Sequence, residues 1–346
     1  MATTDIERMR QAITAGDASR RLVSPRPWVG AVVVPAGDPD HVGFAGATQG
    51  RSGPHAEVVA LEAAGAGAVG ATLYATLEPC SHHGRTGPCA EAIIEARVAR
   101  VVVGLVDPDP KVAGEGIASL RAAGIEVEVG VAAAEVERQL LPYLVHRRTG
   151  RPYVVLKLAA TLDGRTAAPD GTSQWITGAE ARLDAHRLRA DSDVVLAGAG
   201  TIRADDPALT VRLPDGELGV GFEQPQRAVL GHAPDGARAR PLIELSGSPA
   251  EVLDELGERG ALQVLIEGGA AVAHEFHAAG LVDRYVVYLA PALFGGDDAR
   301  GLFAGPGSPT IDDLWRGAIT SVAHLGGDLR IDLSPAHTID PATSGA

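Results

Sequence analysis

Two consecutive α/β domains are what this chain of 346 residues predicts, and three observations carry the reading. The length is about twice that of an ordinary domain of ~150 residues. Hydrophobic residues make up 45% and charged residues 21%, the balance of a packed globular protein with a sizeable core. Short apolar runs alternate with helical patterns twice over, once across residues 1–147 and again across 148–336.

In the first unit a helix is expected over 5–15, a strand over WVGAVVVP (28–35), a helix over 56–65 and a strand over ATLYATL (71–77). Helices over 89–97 and 114–123 then alternate with strands ARVVVGLV (99–106) and GIEVEVGV (124–131), and a helix over 132–147 closes the unit. HRRTGRP (146–152), basic and broken by Gly150 and Pro152, reads as a short linker. The second unit opens on strand YVVLKLAATL (153–162), followed by helix 179–190, strand DVVLAGAG (193–200), helix 249–259, strand LQVLIEGG (262–269), helix 270–279 and strand DRYVVYLAPALF (283–294). The Gly- and Pro-rich stretch 213–248 reads as loop with one strand around Arg227 to Leu230, and 335–346 as a frayed tail. No internal repeat or long low-complexity tract interrupts the pattern.

A formal net charge of −14 opposes an electrostatic grip on a polynucleotide, whose affinity depends on Lys and Arg neutralising phosphates. The only lysines are Lys111 and Lys157, so the basic residues are nearly all Arg; this suits bidentate phosphate recognition, but a GC-rich coding bias is the weightier explanation. No run approaches the roughly 18 apolar residues of a membrane span, and the N-terminus lacks the basic-then-apolar order of a signal peptide. The expectation is a cytoplasmic protein acting on a small molecule, with no nucleic-acid or membrane partner.

Only two cysteines occur, Cys80 and Cys89, so a structural disulfide framework is excluded. Their spacing is not the C-x-x-C of a redox pair, which leaves metal ligation as the leading reading and two inert thiols as the alternative. His55-Ala56-Glu57 stands where a Gly-Pro turn meets a helical pattern, and Cys89 opens another helix. All three candidate ligands, His55, Cys80 and Cys89, are expected at helix starts, where the thiolate form is favoured. One imidazole and two thiolates neutralise Zn²⁺ and leave a fourth position open for water, as in a catalytic site. Glu57, two residues from His55, can then move a proton without ligating the metal. Taken singly, His55 is an ordinary surface residue and Glu57 a first-turn partner of the helix dipole; the four in this order outweigh that. His82 and Arg85 are assigned to substrate phosphate or ring contacts, although a hydrophilic loop suits them as well.

H-x-E followed by P-C and a second Cys resembles the zinc-dependent cytidine deaminase superfamily, with a longer insert, Ser81 to Pro88, in place of the usual C-x-x-C spacing. EPCSHHGRTGPC (78–89), with HAE upstream and DPDPKVAGEGI (107–117) downstream, resembles the deaminase half of the bifunctional riboflavin-biosynthesis deaminase-reductases. KLAATLDGRTA (157–167), SQWIT (173–177), LRADSD (188–193), GAGTIRADDPALTVR (198–212) and IEGGAAVAHEF (266–276) are similar to the reductase half in order and spacing. The resemblance implies a cytidine-deaminase-like three-layer domain followed by a dihydrofolate-reductase-like mixed-sheet domain. It implies hydrolytic deamination of a diaminopyrimidinone ribosylamino 5′-phosphate, then NADPH-dependent reduction of the ribosyl group to ribityl, in a homo-oligomer. It places zinc on His55, Cys80 and Cys89 with Glu57 as proton shuttle. It places NADPH on Ala159, Trp175, Thr201 and the run Gly269, Ala270, Ala271, Val272, Ala273, His274 and Glu275. Substrate falls to Ser173, Arg189, Asp205, Leu209, Arg212 and Glu267.

The residues permit these roles and plainer ones. Gly268-Gly269 between a strand and a helix offers free N–H groups to a phosphate, as does Gly198 to Thr201, and neither is the G-x-G-x-x-G of a Rossmann domain. Arg189 and Arg212 can fork a phosphate or lie solvated on a helix face. Asp205-Asp206-Pro207 can be only a turn, Glu267 a strand-end cap, and Trp175 either a stacking platform or a core aromatic. Two departures stand out: Pro25-Arg26-Pro27 where the family has Pro-Asn-Pro, and a shorter stretch between Arg227 and Glu267. They leave open a deaminase redirected to another amino-heterocycle, with a C-terminal unit that only binds nucleotide or dimerises.

Overall fold

The computed structural model describes residues 4–37, 42–82, 87–110 and 112–336. It divides into two compact units, Met1–Gly150 with Gly219–Glu223, and Arg151–Leu218 with Gln224–Ala346.

The first unit runs α1 (Asp5–Asp17), α2 (Arg20–Val23), β1 (Gly30–Val34), β2 (Phe44–Ala47), α3 (Ala56–Ala64), β3 (Thr72–Leu77), α4 (Cys89–Glu95), β4 (Arg100–Leu105), α5 (Glu115–Ala122), β5 (Glu126–Val129) and α6 (Ala133–Thr149). Its sheet has the order β2-β1-β3-β4-β5, with β1 antiparallel to both neighbours and β3, β4 and β5 parallel. Central strands β1 and β3 are almost wholly buried, which is why they read as unbroken apolar runs. Helices α1 and α6 pack together on one face and α3, α4 and α5 succeed one another on the other, giving the three layers of a cytidine-deaminase fold. A capping box, in which the Thr4 hydroxyl accepts from Glu7 N–H and the Glu7 carboxylate from Thr4 N–H, starts α1. The segment expected as a linker is half helix: α6 runs on to Thr149, its basic last turn His146, Arg147 and Arg148 facing the negative end of the helix dipole, and Gly150 (φ 77°) ends it.

The second unit runs β6 (Tyr153–Thr161), β7 (Arg165–Ala167), α7 (Ala179–Ala190), β8 (Val194–Gly198), α8 (Ala199–Asp205), β9 (Gln226–Leu230), β10 (Ile243–Leu245), α9 (Pro249–Glu258), β11 (Gln263–Ile266), α10 (Ala270–Ala278), β12 (Arg284–Ala290), β13 (Arg300–Gly301), β14 (Gly317–Leu325) and β15 (Asp328–Pro335). Eight strands order as β10-β9-β8-β11-β6-β12-β15-β14, parallel through β12 and antiparallel in the last two, the mixed sheet of a dihydrofolate-reductase-like domain. Side chains along β8 alternate between two cores: Val194 and Leu196 pack with α9 and α10, while Val195 and Ala197 pack with Ile202 and Leu209. The strand expected over 283–294 stops at Ala290, ahead of Pro291, which has no N–H for the ladder. The region 213–248 holds a second strand, β10, beside the expected β9, and the hairpin β14–β15 lay outside every expected element. Most of the tail expected from 335 lies outside the described residues.

Candidate active site

In the first unit the local fold gathers three donors. His55 is the N-cap of α3, Cys89 is the first residue of α4, and Cys80 lies three residues past the end of β3. Cys80 is therefore in a loop and not at a helix start, a correction to the sequence reading. It still faces a helix N-terminus, because the Cys89 N–H donates to Cys80 Sγ at 3.4 Å. His55 Nδ1 stands 3.1 Å from Cys89 Sγ and 3.5 Å from Cys80 Sγ, and the ligand atoms of all three lie within 4.8 Å of one another. Tetrahedral zinc with ordinary Zn–N and Zn–S bonds separates N from S by about 3.5 Å, so the donor set fits the ion.

The electrostatics agree. Cys80 is held down at about 4, first by its hydrogen bond with Cys89 and then by His55, against the effect of burial. Cys89 is driven up by the hydrogen bond to Cys80 and by its own burial. His55 is raised, mostly by Cys80. Glu57, in the first turn of α3, is 3% exposed; burial raises its carboxyl, with the His55 charge opposing. A carboxyl displaced upward, in hydrogen-bonding reach of Cys89 and outside the donor triad, suits a group that takes up and returns a proton. Arg26 donates to the carbonyls of Gly50 (3.1 Å) and Gly53 (3.0 Å), in the loop that leads into His55. His82 is exposed, and Arg85 lies outside the described residues.

In the second unit the C-terminal ends of parallel strands carry the candidates, the usual place for a site in such a sheet. Glu267 follows β11, and Arg189 near the end of α7 meets it in a bidentate pair (Nε to Oε1 2.5 Å, Nη2 to Oε2 2.9 Å). Arg189 Nη1 also donates to Thr210 O at 2.9 Å, so its fork is occupied by protein and is not held open for a phosphate, as the sequence reading had it. Glu267 is correspondingly no strand-end cap. Burial would raise its carboxyl, but the Arg189 charge and hydrogen bonds hold it below the usual range. Arg212 is exposed; its side chain donates to Thr210 Oγ1 (2.8 Å) and its backbone N–H to His186 Nδ1 (3.2 Å).

Thr201 Oγ1 accepts from Gly269 N–H at 3.0 Å, which joins the two stretches read as nucleotide contacts. Gly198 to Thr201 is not a free loop, since α8 begins at Ala199. Ala270 is buried, Ala271 and Glu275 are exposed and His274 is half-buried along α10. Val272 and Ala273 turn into the core, where Val272 packs so closely that a Cβ on Gly268 would meet it at 2.7 Å. Leu209 is likewise buried, with φ 53°. Contacts from these three would therefore run through backbone. Asp205 ends α8, exposed, and Ala159 is half-buried on β6. Ser173 is half-buried; Trp175, 70% exposed, is no core aromatic, and the Arg182 guanidinium stacks 4.7 Å from its ring.

Sequence reasoning missed Lys157 and His186. Lys157, on β6, is lowered by burial, with Glu267 opposing and Arg189 adding to the shift. His186 is pushed down to about 4 by burial, then by Arg189 and Arg212, and as an acceptor from Arg212 N–H it is neutral. Lys157 had a signal, being one of only two lysines in the sequence and standing between Leu156 and Leu158 on β6. His186 had none beyond its place three residues before Arg189.

The family model for the cytidine and deoxycytidylate deaminase zinc-binding region matches residues 2–105, and that for the RibD C-terminal domain matches residues 152–329. The riboflavin biosynthesis protein RibD of Mycobacterium tuberculosis is 43% identical over 341 residues, covering 94% of this chain and 96% of its own. The chain belongs to the RibD family. RibD of Escherichia coli is 38% identical over 365 residues, covering 94% of this chain and 98% of its own. Among solved structures, Acinetobacter baumannii RibD superposes with a TM-score of 0.89 at 38% identity, covering 96% of this chain and 98% of that one. A Thermotoga maritima diaminohydroxyphosphoribosylaminopyrimidine deaminase/5-amino-6-(5-phosphoribosylamino)uracil reductase superposes at 0.84 with 32% identity, covering 95% and 98%. As a RibD-family member the chain is a deaminase and a reductase of riboflavin biosynthesis, with zinc serving the first activity and NADPH the second.

Proposed function

We propose that residues 1–147 deaminate a diaminopyrimidinone ribosylamino 5′-phosphate and that residues 148–336 then reduce its ribosyl group to ribityl. The observation that carries the first half is the convergence of His55, Cys80 and Cys89 within 4.8 Å beside a buried Glu57. These three would hold zinc, which when bound supplies the Lewis acidity that activates water toward an amino-bearing ring carbon. Glu57 takes up a proton and delivers it to the departing ammonia or a ring nitrogen, and its buried setting keeps bulk water from competing. His82 and Arg85 are assigned to the substrate phosphate or ring.

In the second half NADPH supplies hydride, held by Ala159, Trp175, Thr201 and the backbone from Gly269 to Glu275. Arg212 meets the substrate phosphate; Arg189 acts through Glu267 and the Thr210 carbonyl, bracing the loop that carries Arg212. Ser173, Asp205 and Leu209 line the same site, and Lys157 adds a buried cation beside Glu267. An acidic protein would bind this single phosphate with a few arginines, which supports a small-molecule partner over nucleic acid. No helix among the described residues is long and apolar enough to cross a membrane. A cytoplasmic homo-oligomer fits the edge strand β14, whose Ile319 and Val322 are 62% and 57% exposed. Purified protein given the diamino substrate and NADPH should release ammonia and oxidise the cofactor, and the gene should restore growth to a riboflavin auxotroph. Failure of NADPH oxidation with deaminated substrate as well would overturn the two-step reading.

A further inference from the structure

We propose that Glu78 is a positioning residue that sets the place of Cys80, an inference resting on the zinc-ligand reading above. Glu78 directly follows β3, two residues before Cys80, and is 4% exposed. A carboxylate so buried is tolerated only when its oxygens are fully hydrogen-bonded. Here four backbone N–H groups donate to it: Asp107 (3.3 Å) and Gly114 (3.0 Å) to Oε2, Gly116 (3.0 Å) and Ile117 (3.2 Å) to Oε1. Three of the four belong to the N-cap and first turn of α5, whose otherwise unpartnered N–H groups and positive dipole end converge on this one side chain.

The grip continues into the backbone. Glu78 N–H donates to Leu105 O at 2.9 Å, tying the end of β3 to the end of β4. A Cβ on Gly116 would stand 1.8 Å from Pro79 O, so the Pro79 carbonyl packs directly against the start of α5 and only glycine permits it. On its other side Cys80 O accepts from Ala90 N–H at 3.1 Å and its sulfur from Cys89 N–H at 3.4 Å. The run Glu78-Pro79-Cys80 is thereby clamped between α5 and α4. Removing the α5 half of the clamp frees the Cys80 backbone to drift from the 3.5 Å separation that it keeps from His55. This gives a role to the 107–117 segment, whose described residues contribute no donor to the His55, Cys80, Cys89 cluster.

Glu78→Gln keeps the size of the side chain but turns one acceptor into an amide donor facing N–H groups. In the full-length chain its zinc affinity, read by competition with a chromogenic chelator, should fall roughly 10–100-fold, the usual effect of losing a residue that orients a ligand. The thiolate-to-metal absorption of the Co²⁺-loaded protein should shift, while NADPH oxidation with already deaminated substrate stays at the wild-type rate. Val136→Ala, a core truncation in α6, serves as the stability control and should keep wild-type zinc affinity. Cys80→Ser tests the ligand reading itself. If Cys80→Ser binds zinc normally, the ligand reading fails and the clamp with it. If Cys80→Ser loses zinc and Glu78→Gln keeps it, the clamp alone is overturned. Equal weakening in Glu78→Gln and Val136→Ala, in step with their melting temperatures, also overturns it. Should Glu78→Gln not fold, Glu78→Asp replaces it, with weakened zinc binding expected and unchanged binding contradicting the proposal.

Discussion

Arg189→Met leaves Glu267 as a buried carboxylate without its bidentate partner. The side chains of Arg189 and Glu267 are 13% and 9% exposed, so solvent screens the pair weakly. Breaking a buried ion pair from one side costs about 3–5 kcal/mol. Lys157 remains near Glu267 as a second cation, which puts the expected loss at the low end, about 3 kcal/mol. For a unit of this size each kcal/mol moves the melting temperature by about 2–4 °C, so a fall of roughly 6–12 °C is expected in its transition. The pH dependence changes as well. With Arg189 present the folded-state pKa of Glu267 is depressed below its ordinary 4.5, so the pair's stabilisation is complete above that value and is lost as pH falls through the lower folded-state pKa. In Arg189→Met burial acts against only the weaker pulls of Lys157 and His186, the depression shrinks or reverses, and the acid limb of stability flattens. Thermal melts followed by circular dichroism between neutral and acidic pH give both quantities. A loss under about 1 kcal/mol, or an acid limb as steep as that of the wild type, would refute the assignment of Glu267's charge to Arg189.

Glu57→Gln should keep full zinc stoichiometry by metal analysis while ammonia release falls about 10²–10⁴-fold; loss of metal would put Glu57 among the ligands. Tyr288→Phe removes a 2.6 Å hydrogen bond to Asp184, which keeps Arg330 at 2.7 Å, so denaturant unfolding should show about 1.5 kcal/mol lost, the lower end for a bond to a charged group. Thr201→Val deprives Gly269 N–H of its acceptor, and steady-state kinetics should give a KM for NADPH raised about 2–10-fold with kcat little changed, the worth of one hydrogen bond.

What could be read in the sequence was whatever leaves a periodic or compositional trace. The central strands of both units announced themselves as apolar runs because both faces are covered, as with β1 and β8, which are buried throughout. The donors His55, Cys80 and Cys89 were legible because cysteine is so scarce here that a pair of them stands out. β14 was missed because it lies at the sheet edge with all nine of its positions partly or fully exposed along GAITSVAHL and an irregular register between Ile319 and Ser321, so no clean alternation survives. α8 was hidden by a glycine pair that looked like a phosphate loop. The Arg189–Glu267 pair spans 78 residues of sequence, and neither partner marks the other. Glu78 was invisible as a positioning residue for a different reason: its partners are backbone N–H groups, which carry no side-chain signature.

The central claim is that two sites on one chain act in order on one substrate, and NADPH oxidation by Glu57→Gln tests it most directly. Given the diamino substrate, this variant should consume almost no NADPH, and given the already deaminated compound it should oxidise NADPH at the wild-type rate. Wild-type NADPH oxidation by Glu57→Gln on the diamino substrate would contradict the account, because reduction would then not depend on the zinc site at all.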